Sequence, residues 1–166
     1  MQKRTILDID VDFKTVLVRV DFNVEMHDGG IADDSRIKAS IPTISYLQEH
    51  NAKIVLCSHL GRPGGKVVES LRMKPIAIHL ATLLDQNVIY VDDIDIDDIN
   101  NKVRLMDHGD ILMLENLRFN TGEESNDPDF CKAIGSLADV FVQDGFGVSH
   151  RAHASTEGIT RFLPSV

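Results

Sequence analysis

The chain has 166 residues, is 43% hydrophobic and 26% charged, and carries a formal net charge of −9. That balance fits one globular domain with a substantial core and excludes the disordered and fibrous classes. An acidic chain with no cluster of adjacent Lys and Arg argues against a nucleic-acid surface, so any anion site has to be local. Cys57 and Cys131 are the only cysteines, which points to a reducing compartment, the cytoplasm by default, more than to a disulfide scaffold.

Met1 to Asp10 mix Lys3 and Arg4 with Asp8 and Asp10 and contain no apolar run of the signal type. No stretch approaches membrane-spanning length. Residues 15–20 (Thr-Val-Leu-Val-Arg-Val) read as a buried strand ending on the polar pair Asp21 and Asn23. Asp28-Gly29-Gly30 is a turn, and Asp33-Asp34-Ser35 offers N-caps to a helix whose Ile37, Ile41, Ile44 and Leu47 share one face. Arg36 falls in its opening turn. Pro42 predicts a kink or a division into two short segments.

Residues 53–57 form a second strand, apolar through Ile54-Val55-Leu56, as expected of a parallel strand covered on both faces. Gly61, Pro63 and Gly64-Gly65 end it, leaving His59 and Arg62 on a loop at its carboxyl end. Residues 75–84 predict a helix, 87–91 a third strand, 110–114 a fourth, 129–138 a helix and Val140 to Val142 a fifth strand. The strand and helix alternation predicts an α/β fold, a three-layer α/β/α Rossmann-like domain with a parallel sheet. With no internal repeat or linker, residues 1–166 read as a single domain.

The carboxyl edge of a parallel sheet is where ligands bind. On it the sequence places Asp21, Asn23, His59, Arg62, Arg118 and Arg151, with Arg36 opening the first helix. A guanidinium offers a planar fork of donors to phosphate or carboxylate oxygens, and Asp21 can orient a guanidinium or accept from a ligand hydroxyl. These residues predict an anion pocket.

Known phosphate and metal motifs do not fit. Gly61 to Lys66 has only three residues between its outer glycines, and Val67 follows the lysine where Ser or Thr should hold magnesium. Gly145-Phe-Gly147 lacks the third glycine of a dinucleotide fingerprint. Asp93, Asp95 and Asp97 imitate half an EF-hand loop, but Asp98 and Arg104 stand where glycine and glutamate are needed. His150 and His153 lack further ligands, and Ser58 is not on a nucleophile elbow.

Five runs, Arg19-Val-Asp-Phe-Asn-Val24, Asp33-Asp-Ser-Arg-Ile37, Ser58-His-Leu-Gly-Arg-Pro63, Leu114-Glu-Asn-Leu-Arg-Phe119 and His150-Arg-Ala-His-Ala-Ser155, resemble the N-terminal domain of phosphoglycerate kinase, in the family's order and roughly its spacing. The likeness covers essentially the whole chain. Glu25 stands where the family usually has proline, and Gln143 and Gly145 replace its usual asparagine and alanine; none of these changes removes a charged ligand group.

The resemblance implies a two-domain kinase that moves a phosphoryl group between 1,3-bisphosphoglycerate and ADP, giving 3-phosphoglycerate and ATP. It further implies that Asp21, Asn23, His59, Arg62, Arg118 and Arg151 hold 3-phosphoglycerate, with Arg36 facing the reacting carboxylate and the phosphoryl in flight as the catalytic group. Mg-ATP and Mg-ADP belong, on the same resemblance, to a C-terminal domain that this chain lacks and that closes onto it in cis. The chain is thus expected to be a monomeric cytoplasmic fragment, inactive alone, with no bound cofactor or metal and no nucleic-acid or membrane partner. Two other readings stay open: a stand-alone binding module for small phosphorylated acids, and an enzyme of another class, such as a phosphatase, using the same pocket.

Overall fold

A computed structural model describes residues 4–166. Met1, Gln2 and Lys3, part of the stretch read as lacking a signal-type run, lie outside the described residues. In chain order the strands are β1 (Thr15–Arg19), β2 (Met26–His27), β3 (Gly30–Ile31), β4 (Lys53–Cys57), β5 (Val88–Tyr90), β6 (Ile111–Met113) and β7 (Val140–Gln143). The helices are α1 (Ser35–Glu49), α2 (Lys74–Leu84), α3 (Ile96–Leu105), α4 (Thr121–Glu124) and α5 (Pro128–Gly135). Five strands form one parallel sheet in the order β5-β6-β4-β1-β7, with Thr15 opposite Lys53 and Val16 opposite Val140. Asp28 and Gly29, at φ 49 and 78, turn the small antiparallel hairpin of β2 and β3.

Strand side chains alternate between two apolar layers, which is why these strands read as continuous hydrophobic runs. Val16, Val18, Ile54, Leu56 and Met113 face α1 and α2, whose Ile37, Ile44, Leu47, Ile76 and Leu80 complete one core. Leu17, Val55, Cys57, Leu112 and Phe141 face α3 and α5, with Ile99, Val103, Phe130 and Ile134. The fold is the three-layer α/β/α arrangement that the alternation predicts. Both cysteines are buried and unpaired, and burial pushes the Cys57 thiol up to about 12, which leaves it unreactive near neutral pH.

Of the two outcomes expected at Pro42, a kink or a division, the division does not occur: α1 runs through Pro42 as a single helix. Pro42 is exposed, so water can take the carbonyl left without its helical donor, while Ile37, Ile44 and Leu47 anchor both halves to one core. The acidic stretch from Asp92 leads into α3, whose N-cap Asp95 accepts from the amides of Asp97 and Asp98. Among the described residues no helix is long and apolar enough to cross a membrane.

The loops after β1 and β4 lead toward α1 and α2, whereas the loop after β6 leads the other way, toward α4 and α5. The carboxyl edge opens where they part.

Candidate functional site

Gly61 sets the loop after β4. Its φ is +63, and an added Cβ would lie 2.8 Å from Leu71 Cδ2, so only glycine fits without strain. Its amide donates to Asn23 Oδ1 (2.8 Å), and its carbonyl accepts from Arg118 Nη1 (2.8 Å). Asn116 Nδ2 reaches the carbonyls of Leu60 (2.8 Å) and Leu71 (2.9 Å), while Leu117 N donates to Ser58 O (3.1 Å). Loops after β1, β4 and β6 are thereby fastened together, chiefly by side chains bound to backbone groups.

Arg36 projects from the first turn of α1, exposed, and its Nη1 donates to Asp21 Oδ2 (2.9 Å) and Asn23 O (3.3 Å). It lines a cleft of about 180 Å³ with Asp21 and Asp144, and another of about 230 Å³ with Asn23 and Glu25. Asp21 Oδ1 is buried with no partner.

His59 is 3% exposed. Arg19 Nη2 lies 2.9 Å from its Nδ1. A guanidinium cannot accept a hydrogen bond, so Nδ1 is the acceptor and the ring proton belongs on Nε2. Burial first, and then the positive charges of Arg19, Arg118 and Arg151, push the histidine down to about 2, so the ring is neutral.

Arg118 is 3% exposed, with its charge disfavoured chiefly by burial. Its Nε stands 3.4 Å from Glu124 Oε1 without hydrogen-bond geometry, and remains a buried donor with no acceptor. Arg151 Nε is a second such donor. The Arg151 backbone is held by Val148 O (3.0 Å) and Thr156 Oγ1 (2.6 Å). The site therefore presents cationic forks with unused buried N–H groups beside a neutral imidazole, an arrangement that takes anionic oxygens.

The predicted residues fall into two linked groups. Asp21, Asn23 and Arg36 are joined by hydrogen bonds and connect through Gly61 to Arg118, while His59 lies within the field of Arg118 and Arg151. Arg62 stands exposed beside Gly61. Sequence reasoning missed Arg19, which is 1% exposed in β1, and with it Ser155 and Glu123. An arginine inside an otherwise apolar strand was the available signal, because a buried charge has to be paired.

Comparison with known proteins places this arrangement. The family profile described as phosphoglycerate kinase matches residues 6–166. A solved structure of phosphoglycerate kinase from Coxiella burnetii is 32% identical with a TM-score of 0.85, the alignment covering 98% of this chain and 40% of that one. Phosphoglycerate kinase from Pyrococcus horikoshii OT3 is 35% identical with a TM-score of 0.87, covering 98% and 41%. The chain thus spans about two-fifths of the length of these relatives. By profile, identity and fold, the chain belongs to the phosphoglycerate kinase family.

Proposed function

We propose that residues 1–166 are the N-terminal, 3-phosphoglycerate-binding domain of a two-domain phosphoglycerate kinase, acting as a cytoplasmic monomer with its C-terminal domain in cis. The observation that carries this is the pair of buried, partnerless Nε–H donors on Arg118 and Arg151 beside the neutral His59. A buried donor without an acceptor is unfavourable, and phosphate or carboxylate oxygens of the substrate relieve it. Asn23 and Arg62 complete the contacts, and Asp21 orients Arg36.

Arg36 has the transferring group as its task. Phosphoryl transfer spreads negative charge over equatorial oxygens, so the reaction needs fixed cations more than a base. Asp21 and the Asn23 carbonyl aim one edge of the guanidinium and leave it exposed at the mouth of the site. Closure of the second domain would remove water and strengthen each of these interactions.

The loop after β4 carries no nucleotide-phosphate motif, since Val67 follows Lys66 where Ser or Thr would hold magnesium. The nucleotide is assigned to the C-terminal domain, and the chain alone is expected to be inactive. Calorimetry tests the substrate reading: 3-phosphoglycerate should bind weakly, with affinity falling as salt rises. Binding no tighter than that of sulfate at equal ionic strength would overturn it.

A further inference from the structure

We propose that Glu123, Ser155 and Arg19 form a buried positioning chain that holds His59 as a neutral imidazole with its proton on Nε2, presenting an uncharged donor to the bound phospho-acid. The inference deepens the substrate-binding reading above and rests on it for the ligand.

The chain of contacts is continuous and every member is buried. Glu123 and Ser155 are 0% exposed and Arg19 is 1% exposed. Glu123 Oε1 accepts from Ser155 Oγ (2.6 Å), and Oε2 accepts from Ser155 N (3.0 Å). The single hydroxyl proton is thereby committed to Glu123, which leaves Ser155 Oγ as an acceptor for Arg19 Nε (2.8 Å). Arg19 Nη1 is pinned in turn by Val20 O (2.6 Å) and Ser58 Oγ (3.3 Å). With its Nε and Nη1 fixed, the guanidinium plane is fixed, and Nη2 directs one of its two hydrogens at His59 Nδ1 (2.9 Å).

The carboxylate acts at a distance from the ring. Glu123 balances the Arg19 charge through Ser155 and does not touch His59, so it cannot favour an imidazolium directly. The charged and titratable groups that face the ring are Arg19 from β1, Arg118 from the turn after β6, and Arg151 and His153 from the loop after β7. All of them oppose a second ring proton. A purely structural role explains this arrangement less well, since a buried ion pair is often no more stabilising than apolar side chains of the same volume. What apolar side chains could not supply is a donor directed at Nδ1, which selects the tautomer.

The consequence for the ligand is specific. Binding gains nothing from histidine protonation, and attraction for the anion comes from the arginines, which stay charged at every physiological pH.

Nitrogen-15 NMR of the imidazole in the ligand-free chain tests the tautomer without using substrate. Nδ1 should resonate as an unprotonated acceptor and Nε2 as an N–H, with no change from about pH 5 to 8. Titration of His59 within that range, or a proton on Nδ1, would overturn the proposal. Ser155→Ala should release the ring into mixed tautomers, still neutral because burial and the arginines around it remain, whereas Ser155→Thr, which keeps the hydroxyl, should restore the native spectrum. The ratio of variant to wild-type affinity for 3-phosphoglycerate cancels the ligand's own ionisation. For Ser155→Ala it should fall roughly twofold, because part of the population no longer offers the Nε2 proton, and stay level as pH falls through the histidine range. A folded Ser155→Ala protein with an unchanged His59 spectrum would also overturn the proposal, and if that variant does not fold, the wild-type and Ser155→Thr spectra still decide it. Should the wild-type spectrum be as expected while 3-phosphoglycerate fails to bind, the substrate reading falls and the positioning chain stands.

Discussion

Replacing Arg118 with methionine separates a binding arginine from a structural one, because the two roles leave different signatures. In the free chain this guanidinium makes one good hydrogen bond, to Gly61 O at 2.8 Å, and its Nε has no acceptor. Losing this bond, whose donor is charged, costs about 1.5 to 3 kcal/mol. Against that, methionine keeps most of the side-chain volume and removes a charge that burial disfavours. The two effects oppose each other, so stability should change by less than about 1 kcal/mol, read as a small shift in urea midpoint at unchanged slope. Binding should respond quite differently. Loss of hydrogen bonds from a charged donor costs about 1.5 to 3 kcal/mol, which is roughly a ten- to 150-fold rise in the Kd for 3-phosphoglycerate by calorimetry at low salt. Affinity within twofold of wild type, or a stability loss as large as the binding loss, would refute the reasoning and make Arg118 a strut between the loops.

Arg62→Ala and Arg151→Ala should each weaken 3-phosphoglycerate binding by about 1.5 to 3 kcal/mol in the same assay, and for the exposed Arg62 stability should not move. In the full-length enzyme Arg36→Ala should lower kcat much more than it raises KM, as for a contact made chiefly in the transition state; a raised KM at unchanged kcat would move Arg36 into the ligand-holding set. His59 is pushed down to about 2 in the folded chain from the ordinary value near 6.5, so between those values the unfolded chain binds more protons. Its contribution is full above about pH 6.5 and is lost on acidification by at most about 1.4 kcal/mol per pH unit, and His59→Gln should flatten that part of the stability profile in urea melts. Asp144 is pushed up by burial despite the bond from Thr43 Oγ1 (2.7 Å), so the folded chain holds its proton longer and stability falls as pH rises through that interval. Asp144→Asn should therefore be more stable at neutral pH, with the difference vanishing below the ordinary carboxylate range; equal urea midpoints at pH 7 would refute this.

Much of the fold was legible because its strands are covered on both faces. Ile54-Val55-Leu56 could alternate between two cores only if both were apolar, and the sequence shows that run without interruption. The break at Gly61 was legible for the same kind of reason, a local steric need that glycine alone meets. Pro42 left a division of α1 open because its effect depends on which side of the helix meets water, and a sequence pattern gives the missing donor but not the solvent that replaces it.

The site was legible in the groups turned toward a ligand and hidden in those behind them, and the division has a physical cause. Motif reading ranks a side chain by what it could offer a ligand, so Arg36, Arg62, Arg118 and Arg151 stand out at the sheet edge. Arg19 offers a ligand nothing, being spent on Ser155, Val20, Ser58 and His59. Its partners come from points 136 residues (Ser155) and 40 residues (His59) away in the chain, so no spacing rule could join them. Yet the chemistry of His59 follows from that hidden contact. Read alone, a histidine among arginines suggests another cation for the anion, whereas the arginine donating to Nδ1 makes it a neutral donor. Asn23 shows the same effect on a smaller scale, because the bond from Gly61 N to its Oδ1 fixes which end of the amide is the oxygen and so where its nitrogen can donate. The residue types at a binding edge thus give the class of ligand, and the buried contacts behind them decide the protonation state and direction in which each group is offered.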